Sequence, residues 1–158
     1  MSLADQLLAS ARAKGATLAT AESCTAGMIA AAITDPAGAS AVFDRGFVTY
    51  SNAAKVQMLG VLPATLDRWG AVSEQVAHEM ADNARTRAGA TLAVAVTGIA
   101  GPGGSEHKPE GRVCFALSGP VETITETVEF GAIGRDKVRA ATRDHALRML
   151  LNGVHALP

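Results

Sequence analysis

The run "ATLAVAVTG" (90–98) contains no charged residue and does not alternate between apolar and polar side chains. This pattern is typical of a strand that is covered by other elements on both faces, since a strand with one solvated face alternates. A helical pattern at 73–89 precedes the run, and a Gly/Pro-rich loop at 98–110 follows it. The run therefore predicts an α/β protein with a central strand buried between layers of helices.

Helical and strand patterns alternate along the rest of the chain. The 121–130 segment alternates apolar and polar residues, which indicates an edge strand, and its short connection to the preceding strand predicts an antiparallel hairpin. These patterns predict one domain over residues 1–158, an α/β/α sandwich of three layers with a mixed five-stranded sheet. Helices are predicted from Ser2 to about residue 14 and at 24–34, 51–60, 63–70, 73–89 and about 134–151, and strands at 15–21, 41–50, 90–98, 111–119 and 121–130.

Charge and composition exclude several classes of function. Lys and Arg total 14 against 15 for Asp and Glu, the net charge is -1, and 4% of residues are aromatic, so neither a basic field nor an aromatic face is available for nucleic acid. No apolar run approaches the roughly 18–20 residues that span a bilayer, so no membrane partner is expected. The cysteines Cys24 and Cys114 form no close pair, which is typical of a protein of the reducing cytoplasm.

Two loops are expected at the carboxyl ends of strands, where open α/β sheets bind ligands. "AESCTAG" (21–27) follows the first strand, and "TGIAGPGGSEHKPEG" (97–111) follows the third. The second loop matches neither the Walker pattern nor G-x-G-x-x-G, and its composition fits a surface connection equally well. A loop of this length in a compact domain is, however, more often functional. We therefore consider the two loops together as a candidate site.

Ser23 has two possible roles in the first loop. Serine is a preferred N-cap, so Ser23 is predicted to begin the second helix. Its hydroxyl could also act as a nucleophile if the N–H groups of Thr25 and Ala26 were free to stabilise an oxyanion. Gly27, which has no side chain, would leave space at the start of the helix. Cys24 is a rival nucleophile, but it heads a helix with a buried pattern, and buried thiols are usually inert.

The segment "TYSNAAK" (49–55) offers a candidate base. Ser51 and Lys55 lie four residues apart and could form a Ser–Lys dyad, because burial can lower the pKa of a lysine. The residue types alone favour a capping Ser51 and a solvated Lys55. Tyr50 ends a strand and could lend its phenol to a site.

Arg135 is a candidate for anion binding, and one histidine motif partly matches a metal-binding pattern. Arg135 lies in the first turn of the last helix, where the macrodipole favours acids, so a bound phosphate would explain its position. "HEMAD" (78–82) lacks the second histidine of H-E-x-x-H, so no metal site is predicted.

The motifs "TAESCTAG", "FDRGFVTYSNAAK", "GAVSEQVA" and "TGIAGPGGSEHKPEGRV" resemble the CinA C-terminal domain family, over about residues 5–151. The resemblance implies a three-layer sandwich, the stand-alone form of the domain and a homodimer. It also implies nicotinamide-nucleotide amidase activity, the hydrolysis of nicotinamide mononucleotide to nicotinate mononucleotide and ammonia with no metal or cofactor.

The resemblance also implies roles for particular residues. Ser23 would be the nucleophile, activated by Lys55 and Tyr50. The motif "TGIAGP" would shape the substrate site through Thr97, Gly98 and Gly101, and Arg135 would hold the phosphate. Relatives often carry a small or β-branched residue at the position of Glu110, and an acid there would oppose a phosphate if it pointed inward. Two other functions stay open: a non-catalytic nucleotide-binding module and an amidohydrolase for another small amide.

Overall fold

The computed structural model, which describes residues 1–158, contains six α-helices and five strands. The predicted order of these elements is confirmed, with most boundaries shifted by a few residues. In chain order the elements are α1 (Leu3–Lys14), β1 (Leu18–Glu22), α2 (Met28–Thr34), β2 (Phe43–Val48), α3 (Asn52–Leu59), α4 (Pro63–Trp69), α5 (Glu74–Ala88), β3 (Leu92–Gly98), β4 (Arg112–Ser118), β5 (Thr123–Glu129) and α6 (Arg135–His155).

The strands form one mixed sheet in the order β2-β1-β3-β4-β5. β1 is parallel to both β2 and β3, and β4 is antiparallel to both of its neighbours. The predicted β4–β5 hairpin and the predicted edge position of β5 are therefore confirmed. Because β1 and β3 are parallel neighbours, the loops that follow them leave the sheet at the same edge.

Helices cover both faces of the sheet. Successive residues of β3 point to opposite sides, so Val94 joins the cluster packed under α1, α2 and α6, while Ala95 joins the cluster packed under α5. Both clusters are apolar, which explains why the β3 sequence does not alternate. The sheet surface under α5 is rich in alanine, and this allows the helix to pack closely against it. No helix combines the length and the apolarity that a membrane crossing would require.

Candidate active site

Ser23 and Lys55 meet just beyond the end of β1. Ser23 follows β1 directly, and Lys55 lies in α3, whose N-cap Ser51 accepts the Ala54 N–H at 3.0 Å. The Lys55 Nζ lies 3.0 Å from the Ser23 Oγ. The solvated Lys55 favoured by residue type is wrong, and so is a Ser51–Lys55 dyad, because Ser51 caps the helix and Lys55 contacts Ser23.

Lys55 is buried among oxygen atoms. It is 1% exposed, and its Nζ lies 2.9 Å from the Thr49 carbonyl oxygen and 3.1 Å from that of Tyr50. Burial lowers the pKa of Lys55 from 10.5 to about 8, because the buried ammonium loses its hydration. A neutral Lys55 can donate its two hydrogens to these carbonyls and direct its lone pair at the Ser23 hydroxyl. This is the geometry that a lysine base requires.

The segment 23–27 forms a turn, which corrects the prediction that Ser23 caps the second helix. That helix, α2, begins at Met28. Ala26 and Gly27 have φ values of +47° and +101°, which a right-handed helix does not contain. The Ala26 N–H donates to the Ser23 carbonyl oxygen at 3.1 Å, so it is not the free oxyanion donor that we expected.

Glu22 caps α2 in place of Ser23, a role that the sequence analysis missed. Its carboxylate is 1% exposed and accepts hydrogen bonds from the Thr25 hydroxyl at 2.6 Å and from the N–H groups of Ile29 and Ala30 at 2.9 and 3.0 Å. A carboxylate is favourable there because of the helix dipole and the uncommitted N–H groups. The contacts fix the turn that carries Ser23. An acid ahead of a predicted helix was the signal in the sequence.

Arg139 of α6 holds the same turn from another side, and the sequence analysis did not single it out. Its Nε lies 3.0 Å from the Cys24 carbonyl oxygen, and its Nη2 lies 3.3 Å from that of Thr25. Because a peptide unit is planar, holding the Cys24 carbonyl also orients the Thr25 N–H. The N–H groups of Cys24 and Thr25 donate to no acceptor in the protein.

We expect Arg139→Gln to lower kcat about 10- to 100-fold with little change in KM, because glutamine is too short to hold both carbonyls and the turn shifts. Steady-state kinetics of ammonia release, the activity that the family resemblance implies, measures this. Arg143→Gln is the matched control, since Arg143 lies one helical turn further on and contacts Asp144 at 2.9 Å. The same kcat in both variants would argue against a positioning role for Arg139.

A cleft of about 290 Å³ opens beside the Ser23–Lys55 pair. Cys24 and Tyr50, the neighbours of the pair, lie in its wall. The loop after β3 supplies most of the remaining wall, through residues 98–106. Of the predicted binding residues, Tyr50, Gly98, Gly101 and Arg135 line the cleft, whereas Thr25, Ala26, Gly27 and Thr97 do not.

Thr97 is turned away from the cleft. It is 1% exposed, and its hydroxyl donates to the Ala71 carbonyl oxygen at 2.8 Å. This bond ties the end of β3 to the segment that precedes α5. Thr97 therefore supports the cleft wall from behind.

The Tyr50 phenol hydrogen-bonds Arg135, not the Ser23–Lys55 pair. The Nη2 of Arg135 lies 3.1 Å from the phenol oxygen, and its Nη1 donates to the Gly101 carbonyl oxygen at 2.7 Å. Only the backbone carbonyl of Tyr50 contacts the pair, at 3.4 Å from the Ser23 Oγ. The expected activation of Ser23 through the phenol stays a prediction, because the phenol makes no hydrogen bond to Ser23 or Lys55 in this structure. Arg135 keeps further N–H groups that can bind an anion at the cleft.

The family model described as the CinA C-terminal domain matches residues 1–154. The chain belongs to this family. It is 59% identical over 150 residues to "Nicotinamide-nucleotide amidohydrolase PncC" of Enterobacter agglomerans, covering 94% of this chain and 92% of the relative. It is 52% identical over 152 residues to the protein of the same name from Escherichia coli K12, covering 95% and 92%. The crystal structure of the competence/damage inducible protein CihA from Agrobacterium tumefaciens superposes with a TM-score of 0.91 at 50% identity, covering 95% of this chain and 93% of that one.

Glu110 of this CinA-family chain does not line the cleft. Its carboxylate accepts the Gly103 N–H and packs against Gly101. A Cβ on Gly101 would lie 2.7 Å from the Glu110 carboxyl carbon, and Gly101 has a φ of +93°, so glycine is required there. Glu110 therefore fixes the conformation of the loop and does not line the cleft.

Other reactive groups of this CinA-family protein do not form a competing site. Burial raises the pKa of the Cys24 thiol to about 11, so it stays protonated near neutral pH and is a poor nucleophile. No group of three or more His, Cys, Asp or Glu side chains is arranged to hold a metal ion.

Proposed function

We propose that this protein hydrolyses the carboxamide of nicotinamide mononucleotide to nicotinate mononucleotide and ammonia. The observation that carries the proposal is the 3.0 Å contact between the Ser23 Oγ and a buried lysine amine beside a cleft. A buried lysine costs stability, and this cost is expected where the amine acts in catalysis. The names of the two amidohydrolase relatives supply the substrate.

The reaction proceeds through an acyl-enzyme. Neutral Lys55 takes the proton of the Ser23 hydroxyl as the Ser23 Oγ attacks the carboxamide carbon. The oxyanion is stabilised by N–H groups of the turn, for which those of Cys24 and Thr25 are uncommitted. The Lys55 ammonium then protonates the departing nitrogen, and ammonia leaves. Lys55 next takes a proton from water as the water oxygen attacks the ester carbonyl, and it returns that proton to the departing Ser23 Oγ as nicotinate mononucleotide leaves.

The cleft also binds the phosphate and ribose of the nucleotide. The guanidinium of Arg135 lies at the cleft and pairs with the phosphate. The glycine-rich segment, including Gly98 and Gly101, allows the backbone to approach the ligand closely. From the family we also infer a homodimer and a cytoplasmic location.

We expect nicotinamide mononucleotide to yield ammonia and nicotinate mononucleotide in equal amounts, with kcat/KM rising with pH and levelling off above about 8. The sign follows from the pKa of Lys55 of about 8, since the active amine is the neutral form that accumulates above that value. A coupled ammonia assay and chromatography of the products measure both. A binding module would release no ammonia, and an amidohydrolase for another small amide would prefer a different member of a substrate panel.

A further inference from the structure

We propose that Glu106 recognises the positive charge of the pyridinium ring, so that the site selects oxidised nicotinamide nucleotides over those with an uncharged ring. This inference rests on the proposed function and names a residue that determines its specificity. Glu106 lies four residues before Glu110 in the loop after β3. It lines the cleft, whereas Glu110 does not.

Glu106 lies at the tip of a short hairpin within the loop after β3. Ser105 and Lys108 exchange two backbone hydrogen bonds, at 3.1 and 2.8 Å, and Glu106 and His107 have φ values of +52° and +64°. These values define a two-residue turn in which asparagine and glycine are usual, so turn chemistry gives no reason for a glutamate. The Lys108 Nζ donates to the carbonyl oxygens of Trp69, the last residue of α4, and of Val72 at 2.7 and 2.6 Å, which holds the tip at the cleft.

The carboxylate of Glu106 packs against Gly70, and the Lys108 Nζ lies on the same side of Gly70. The carboxylate takes part in no hydrogen bond and no ion pair, in contrast to Glu110, which accepts the Gly103 N–H. The charge of Glu106 also acts on Lys55. Burial lowers the pKa of Lys55, and the negative charge of Glu106 opposes part of that decrease. The cleft wall therefore carries a negative charge at Glu106, whose field reaches Lys55, and a positive charge at Arg135.

This arrangement of charges matches the substrate. In an oxidised nicotinamide nucleotide the ring nitrogen is bonded to ribose and carries a full positive charge, two bonds along the ring from the carbon that bears the carboxamide. When the carboxamide carbon is at the Ser23 Oγ, the ring lies within the field of Glu106, and Arg135 is left for the phosphate. The reduced nucleotide has the same phosphate, ribose and carboxamide but an uncharged ring, so it isolates the contribution of the charge.

The test compares Ser23→Ala with Ser23→Ala/Glu106→Gln by titration calorimetry with nicotinamide mononucleotide and its reduced form. Ser23→Ala prevents turnover, and Glu106→Gln keeps the size of an exposed side chain while removing its charge. We expect the Kd of the oxidised ligand to rise about 10- to 100-fold and that of the reduced ligand to change less than about twofold. Ser23→Ala/Glu122→Gln is the matched control, because Glu122 lines a separate groove beside β5.

Two results of this titration would contradict the role of Glu106. An unchanged Kd for the oxidised ligand would overturn the role of Glu106, and so would an equal loss of affinity for both ligands, which indicates a change in cleft shape. In either case, ammonia release by the unmodified enzyme would show that the proposed function itself stands. If Ser23→Ala binds neither nucleotide and the unmodified enzyme releases no ammonia, the proposed function and this inference fail together.

Discussion

Replacing Ser23 with alanine is expected to lower the rate of ammonia release by about 10⁴- to 10⁶-fold, the loss typical of removing a nucleophile. The loss is large because no other nucleophile faces the Lys55 amine: its three oxygen contacts are the Ser23 Oγ and two backbone carbonyls. Substrate binding should persist, since Ser23 is 8% exposed and the cleft is lined by other residues. Single-turnover kinetics and calorimetry measure the two quantities separately.

Two neighbouring residues provide controls for this variant. Ser51→Ala removes a helix cap and should cost about 1 kcal/mol of stability with activity retained. Cys24→Ala removes a protonated thiol from the cleft wall and should also retain activity. Full activity in Ser23→Ala would remove Ser23 from the mechanism and redirect attention to Ser51 and Cys24.

Lys55→Met is expected to lower kcat by about 10²- to 10⁴-fold and to change how stability depends on pH. Below pH 8 the amine is protonated in both the folded and the unfolded state, and the folded state bears the full cost of burying the charge. Between about 8 and 10.5 the unfolded state binds more protons, so the free energy of unfolding of the unmodified protein rises with pH. The difference between 10.5 and about 8 corresponds to about 3 kcal/mol.

Urea unfolding of both proteins at pH 7, 9 and 10.5 measures this effect. Lys55→Met has no amine at this position, so the unmodified protein should gain about 3 kcal/mol relative to the variant across that range. Lys137→Met, at a position exposed on α6, is the control and should show no such change. A stability difference between the Lys55 variant and the unmodified protein that does not vary with pH would show that Lys55 keeps an ordinary pKa in the folded state.

The fold was largely predictable because its signals are local. The uninterrupted apolar run of β3, the alternation of β5 and the glycines that end α1, α3 and α5 each act within a few residues. The predicted start of α2 was wrong because it was inferred from residue type alone. Serine is a good cap by residue type, but the buried carboxylate of Glu22 reaches the first free N–H groups of α2 and takes the role.

The candidate site was predictable only in part. The expectation that the loops after β1 and β3 lie together follows from the parallel pairing of those strands, and the structure confirms it. Residue types could not show that Lys55 is buried, since a lysine four residues after a serine cap is usually solvated. Residue types also could not predict the hydrogen bond between the Tyr50 phenol and Arg135, because these residues are 85 positions apart.

The sequence by itself determined which segments become helices and strands and which strands are buried on both faces. It also determined which loops lie at the carboxyl ends of β1 and β3. These features depend on periodicity, caps and turn residues, which act over a few positions. Only the tertiary structure decided that an amine from α3, a hydroxyl after β1 and a guanidinium from α6 converge on one turn. The physical reason is that these contacts join residues 32 and 115 positions apart, and their distances depend on sheet order and helix packing.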